Sequence, residues 1–286
     1  MRSQALFVAV TMAAMGHMAA ARASILYVTN GNSNRLVLVD TTRGTIVTSK
    51  KTDAAWQYPI AVTSTAWLGS YHYHDSLASE YTLGGVATGS TAPAPGVWAL
   101  DGTTDGTVNY EVSAPLDNGA TVYRANKDWT DPVVLFDIPR STDISNIGLT
   151  GIAYAAASRT LWIAGYAAIY QYDLAGNLLS QFDKPHLRGG LAYDQPSNTL
   201  WFVYNGLETI SQYSTSGTLL QSKEIPGLAY NNWGVEIALE AAPVPEPGTA
   251  AILGVALASL GLLRIRRTAS PVWRTRHGRG SRPRSP

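Results

Sequence analysis

Apolar and polar residues alternate along most of the chain in short runs, and each run ends at a cluster of Gly, Asn, Asp or Ser. A period of two predicts strands with one buried face each, whereas no segment of residues 24–242 carries a convincing helical stripe. The runs themselves recur. GIAYAAASRTLWIAGYAAIYQYDLAGNLLSQ, from Gly151, aligns with GLAYDQPSNTLWFVYNGLETISQYSTSGTLLQ, from Gly190, at an offset of 39 residues that grows to 41 by Gly176 and Gly217. Each copy reads as four strands, GIAY, TLWI, IYQYDL and GNLLSQ in the first, with Ala-Gly or Ser-Gly turning the last hairpin.

Four short strands repeated every ~40 residues predict the blades of a β-propeller. ILYVTNGNSNRLVLVDTTRGTIVTS, from Ile25, matches the second, third and fourth strands of the repeat but lacks the first. A first strand without its partners stands at the other end of the body, where GLAYNNWGVEIALE, Gly227 to Glu240, repeats GLAY. The split predicts a ring closed by pairing the C-terminal strand with the N-terminal three, which hides sheet edges that would otherwise aggregate. YPIAVTSTAWLGSYHYHDSLASEYTLGGVATGS reads as a weaker second blade, and GVWALDGTTDGTVNYEVSAPLDNGATVYRANKDWTDPVVLFDIP as a longer third. The expected fold is all-β, a propeller of about five four-stranded blades over residues 24–242, with six as the alternative count.

Charge changes this picture at the ends of the chain. Residues 24–243 hold 11 Lys and Arg against 19 Asp and Glu, a net of −8, while eight arginines follow residue 263. An acidic body argues against nucleic acid as a partner. Residues 1–23 read as a signal peptide: Arg2, then the apolar ALFVAVTMAAM, then Ala21-Arg22-Ala23 as the cleavage signal. Exported domains commonly carry disulfides, but there is no cysteine, so a core of adequate size must hold this fold.

The second address lies near the other end. Pro245-Glu246-Pro247 precedes GTAAILGVALASLGLL, 16 uncharged residues from Gly248 to Leu263, and then Arg264, Arg266 and Arg267. Sixteen residues make ~24 Å of helix, enough to span a ~30 Å hydrocarbon core with help from the flanks. The arginines keep their end in the cytoplasm and place residues 24–243 outside it. The combination over residues 243–267 resembles the PEP-CTERM sorting signal of Gram-negative bacteria that make extracellular polysaccharide. That resemblance implies a transient transmembrane helix in the inner membrane. It also implies an exosortase, an integral membrane protein with a cysteine nucleophile, which recognises the Pro245-Glu246-Pro247 region, removes the tail and delivers the protein to the cell surface or matrix. Members of the family end close to the arginines, whereas here a basic stretch, residues 268–286, follows and is expected to be disordered. An ordinary C-terminal membrane anchor is the plainer alternative.

Candidate chemistry within the body is sparse. The connections before each first strand and between each second and third strand gather at one end of a propeller, where they would bring together Trp56, Tyr71, His72, Tyr73, His74 and His186. Aromatic and imidazole groups suit sugar stacking and hydroxyl contacts. His72, His74 and Asp75 are close enough for a metal, but no third strong ligand accompanies them, so no metal or cofactor is expected. DGTTDGT, from Asp101, lacks calcium-loop spacing and reads as two Asp-Gly turns. Trp162 and Trp201 occupy equivalent repeat positions and read as core. There is no G-x-S-x-G, P-loop or cysteine nucleophile. The resulting expectation is a non-catalytic binding module of the surface or biofilm matrix, with exopolysaccharide or other matrix components as partners. The alternative is an exported hydrolase or lyase using loop carboxylates such as Asp53, Asp75, Asp143 and Asp183.

Overall fold

The computed structural model describes residues 24–31, 33–53, 56–70, 77–93, 98–113, 119–139, 148–228 and 231–239. These form twenty strands in five four-stranded antiparallel sheets, a five-bladed propeller with no helix among the described residues. Blade one joins β1 (Ile25–Asn30), β2 (Arg35–Asp40) and β3 (Thr45–Lys51) to β20 (Asn232–Ile237) in the order β20-β1-β2-β3. Blade two is β4 (Gln57–Val62), β5 (Ala66–Ser70), β6 (Leu77–Tyr81) and β7 (Ala87–Pro93). Blade three is β8 (Ala99–Thr104), β9 (Asn109–Ser113), β10 (Ala120–Ala125) and β11 (Val133–Ile138). Blade four is β12 (Gly151–Ala155), β13 (Thr160–Ala164), β14 (Ala168–Asp173) and β15 (Leu178–Asp183). Blade five is β16 (Gly189–Asp194), β17 (Thr199–Tyr204), β18 (Thr209–Ser214) and β19 (Leu219–Glu224). The segment expected as a longer third region is therefore one blade, and the count is five.

The inner strands adjoin in cyclic order, β20 beside β4, then β8, β12, β16 and β20 again. All five run in one direction, from an upper end where they begin to a lower end where they finish. β1 pairs with β20 through Leu26↔Ile237, Tyr27↔Glu236 and Val28↔Val235. One detail of the repeat reading is corrected here. The GLAY at Gly227 is not the start of the inner strand: Gly227 sits in a turn at φ 84° and β20 begins five residues later, at Asn232. Gly234-Val235 occupies the place held by Gly151-Ile152 and Gly190-Leu191, as the axial hydrogen bonds described below show.

Expecting one buried face per strand understates the burial near the axis. β4, β12, β13, β16 and β17 bury every residue, because each blade is covered by a neighbour on both sides. Between blades four and five, Ala153, Trp162 and Ile169 meet Leu191, Leu200 and Phe202; between five and one, Ala192, Trp201 and Val203 meet Leu26, Val28 and Val37. The seam between blades two and three is thinner, built of Ala61, Ala78, Ala125 and Trp129. Trp129 fills it from the β10–β11 connection, donating its indole N–H to the Trp67 carbonyl at 3.1 Å. A Cβ at Gly102 would lie 2.3 Å from that indole, so glycine there makes room for the wedge.

Outer strands are bulged against their partners at a recurring position. Leu38↔Thr48 is followed by Val39↔Ile46, Gln171↔Ser180 by Tyr172↔Leu178, and Gln212↔Gln221 by Tyr213↔Leu219. Val47, Leu179 and Leu220 are the extra residues. The turns before these bulges follow the expected chemistry: Gly176 and Gly217 sit at φ 86° and 90°, conformations that favour glycine. They rest on Phe136 and Phe182 of the preceding blade.

Candidate functional site

The axis is organised by a carboxylate. Asp101 of β8 is fully buried, and both its oxygens are filled by backbone donors. Oδ1 accepts the N–H of Gly102 and of Val235, each at 2.8 Å, and Oδ2 accepts Ile152 at 3.1 Å and Leu191 at 2.8 Å. One side chain thus ties β8 to the inner strands of blades four, five and one. Two residues along, Thr103 Oγ1 accepts the Tyr154 N–H at 3.0 Å. Burial pushes the Asp101 carboxyl well above its ordinary range, while the four N–H bonds act against that shift. A proton on either oxygen would face donors, so the ring is built for the ionised form.

The inner strands approach one another closely around this point. A Cβ on Gly190 would stand 2.1 Å from the Trp233 carbonyl oxygen, and one on Gly234 1.8 Å from that of Tyr58. Thr29 Oγ1 completes the seam by donating to Tyr58 O at 2.8 Å and accepting the Gly234 N–H at 2.9 Å. These contacts correct the reading of DGTTDGT. Asp101-Gly102 lies within a strand, and only Asp105-Gly106 forms a turn, with Asp105 Oδ1 accepting the N–H groups of Thr107 and Val108. The turn preference of Asp-Gly yields at the first position because inward-facing backbone donors surround the carboxylate.

Two further acids are enclosed. Burial pushes Glu111 of β9 up to about 8, and burial also raises Glu236 of β20 well above its ordinary range against hydrogen bonds from Thr103, Ile237 and Thr104. Asp101 cannot act as a general acid or base, since its lone pairs are already engaged. Of the loop carboxylates considered for a hydrolase, Asp53 and Asp183 are exposed, whereas Asp75 and Asp143 lie outside the described residues. Among the described residues no group of three His, Cys, Asp or Glu side chains is placed to hold a metal ion.

The upper end carries the aromatic groups. Trp56, immediately before β4, is 43% exposed and holds φ 60°, a backbone conformation that bulky residues rarely adopt. Its N–H donates to Asn34 Oδ1 at 3.3 Å, and its ring stands edge-on to Tyr58 at 6.1 Å. His186, in the connection from β15 to β16, packs against Tyr166 with ring centroids 5.5 Å apart. Lys184 fixes that connection: its Nζ donates to the carbonyls of Tyr166, Pro185 and Leu187 and lies 4.3 Å from the Phe202 ring centroid. Burial lowers its ammonium to about 7.

Trp56 and His186 therefore share the expected end, while Tyr71, His72, Tyr73 and His74 lie outside the described residues. Sequence reasoning missed Trp98, 38% exposed just before β8, and Tyr166 between β13 and β14. It also missed Trp233, whose Nε1 donates to Asn231 Oδ1 at 2.7 Å. The signal was available, since Trp98 and Tyr166 fall in the same classes of connection as Trp56 and His186. Trp162 and Trp201 are buried core residues.

No protein-family model matches the sequence, and no curated protein matches it. Solved structures do share its fold. A chain from a nidogen/laminin complex superposes with a TM-score of 0.50 at 12% identity, covering 76% of this chain and 86% of that one. A functionally unknown protein from Desulfotomaculum acetoxidans DSM 771 gives 0.45 at 12% identity, covering 76% and 89%. Virginiamycin B lyase from Staphylococcus aureus gives 0.41 at 16%, covering 74% and 73%. At these identities the likeness concerns the fold alone.

Proposed function

We propose that this propeller is an exported, non-catalytic binding module whose upper end takes up a carbohydrate polymer of the cell surface or matrix. The observation that carries the reading is the set of partly exposed rings at that end, Trp56 and Trp98 before inner strands and the Tyr166–His186 pair beside them. Exposed aromatic faces suit the apolar faces of sugar rings. The acid at the axis is committed to backbone and offers no reactive group to the same end. Pairing of β20 with β1 supports a ring closed by its C-terminal strand, a rigid platform for such a surface.

A glycan array probed with the full chain tests this reading. Each ring contributes about 0.5–1.5 kcal/mol beyond its area, so Trp56→Ala with Trp98→Ala should weaken a retained glycan at least about fivefold. Unchanged retention by that double variant refutes the proposed surface. Delivery is a separate part of the proposal: the signal peptide and the 243–267 segment support export, exosortase processing near Pro245-Glu246-Pro247 and release from the inner membrane. Mass spectrometry of exported protein should find no peptide containing Leu262 and Arg264, and Glu246→Ala should strand the full-length form in the membrane. Normal release of that variant refutes the sorting reading.

A further inference from the structure

The lower end of the propeller carries an apolar belt. Of the thirteen large apolar residues exposed among those described, nine lie at this end: Val47, Leu83, Val86, Val133, Val134, Leu178, Leu179, Leu219 and Leu220. Every blade contributes, four through the start of the outer strand, which lies at the lower end, and blade two through Leu83 and Val86 of the β6–β7 turn. Leu178, Leu179, Leu219 and Leu220 are each 51–53% exposed, and the recurring bulge pushes Val47, Leu179 and Leu220 out of register at the same height. Bulges and charges ordinarily blunt a solvent-facing edge strand. Here the bulged residues are apolar, an arrangement that marks a contact surface when it recurs around a rim.

A belt drawn from all five blades at one end fits a plane perpendicular to the propeller axis. The path of the chain identifies that plane. β20 runs toward the lower end, and Leu239, the last described residue, donates its N–H to the Val62 carbonyl there. The apolar run that begins at Gly248 then follows after eight intervening residues. Nine residue steps reach at most about 32 Å when extended, so a membrane span at 248–263 would hold this end, rather than the aromatic one, close to the bilayer. The net charge of −8 over residues 24–243 opposes adhesion to anionic lipid, which leaves apolar contact as the attraction.

We propose that, while the tail is attached, the lower rim docks on the lipid surface through this belt, leaving the aromatic end turned away from the membrane. The proposal rests on reading 248–263 as a span. Because the chain has no cysteine, single labels can be placed without removing native thiols. The full chain carrying an environment-sensitive fluorophore at Leu179→Cys, Leu220→Cys or Val134→Cys is reconstituted into phosphatidylcholine vesicles, with Leu207→Cys at the upper end as reference.

The expected result is a blue shift and quenching by spin-labelled lipid at the three lower positions, and neither at position 207. Water-like emission from the lower labels in protein that floats with the vesicles overturns the docking while sparing the span. A blue shift without quenching by spin-labelled lipid assigns the belt to a second copy of the chain and overturns the proposal. Protein that fails to float overturns both readings.

Discussion

Replacing Asp101 by Asn tests whether one carboxylate holds the inner strands together. The substitution keeps the volume and one carbonyl oxygen, but turns the other oxygen into an amide donor. Whichever way the amide lies, two buried N–H groups lose their acceptor and face a donor instead: Gly102 and Val235, or Ile152 and Leu191. Leaving a buried donor unsatisfied costs about 1–3 kcal/mol, so the variant should lose about 2–6 kcal/mol of a total that for ordinary domains is about 5–15. Replacing Asp101 leaves the four backbone donors in place, so the usual remedy of exchanging a buried charge for apolar packing would strand them. Asp101→Ala should be at least as damaging, tempered by any water that enters the space. Equilibrium urea unfolding followed by tryptophan fluorescence measures the loss, and hydrogen exchange locates it at the amides of Ile152, Leu191 and Val235. An Asp101→Asn protein within about 1 kcal/mol of wild type, with those amides equally protected, would refute the reasoning.

Two further outcomes follow from other buried ionisable groups. The folded Glu111 carboxyl keeps its proton up to about pH 8 and the unfolded one releases it near 4.5, so the contribution is fully present below pH 4.5 and is lost as pH rises through 8. Glu111→Gln should flatten that decline, with the variant gaining on wild type in denaturant midpoints between pH 5 and pH 8; parallel pH profiles would show that Glu111 is not the titrating group. Lys184→Met retains the stem but strands three carbonyl acceptors. The 184–188 connection should loosen, and the His186 ring signals should lose the shift imposed by Tyr166 in proton spectra; an unmoved His186 would show that Lys184 does not hold the connection.

The repeat was legible because a blade is a local object. Its four strands, its Ala-Gly and Ser-Gly turns and the burial of Trp162 and Trp201 all arise from residues within about forty positions, where periodicity and turn chemistry operate. The missing first strand at Ile25 was equally readable, since the deficit at one end and the surplus at the other are both visible in the alternation. What escaped is the work of the ring as a whole. GLAY at Gly227 imitates an inner strand in letters, but the strand that docks is set by which glycine can pass 1.8 Å from a carbonyl once a Cβ is imagined on it, and that is Gly234. Asp101-Gly102 imitates a turn for the same reason: its neighbours at 152, 191 and 235 are between 51 and 134 residues away and leave no local trace.

The same distinction separates the two ends of the molecule. At the upper end, chemistry sits in connections whose lengths and residues differ from blade to blade, so Trp56 and His186 were found by position while Trp98 and Tyr166 were passed over. At the lower end the apolar residues are part of the repeat itself, the LL of GNLLSQ and GTLLQ and the IV of GTIV, and alternation alone assigns one residue of each pair to a buried face. The bulge adds Leu179, Leu220 and Val47 as extra residues outside the ladder, and the paired Leu178 and Leu219 beside them are equally exposed. A repeat that in an unbulged strand would turn one residue of each apolar pair inward therefore becomes, in three of the five blades, a surface facing outward at the end from which the chain continues.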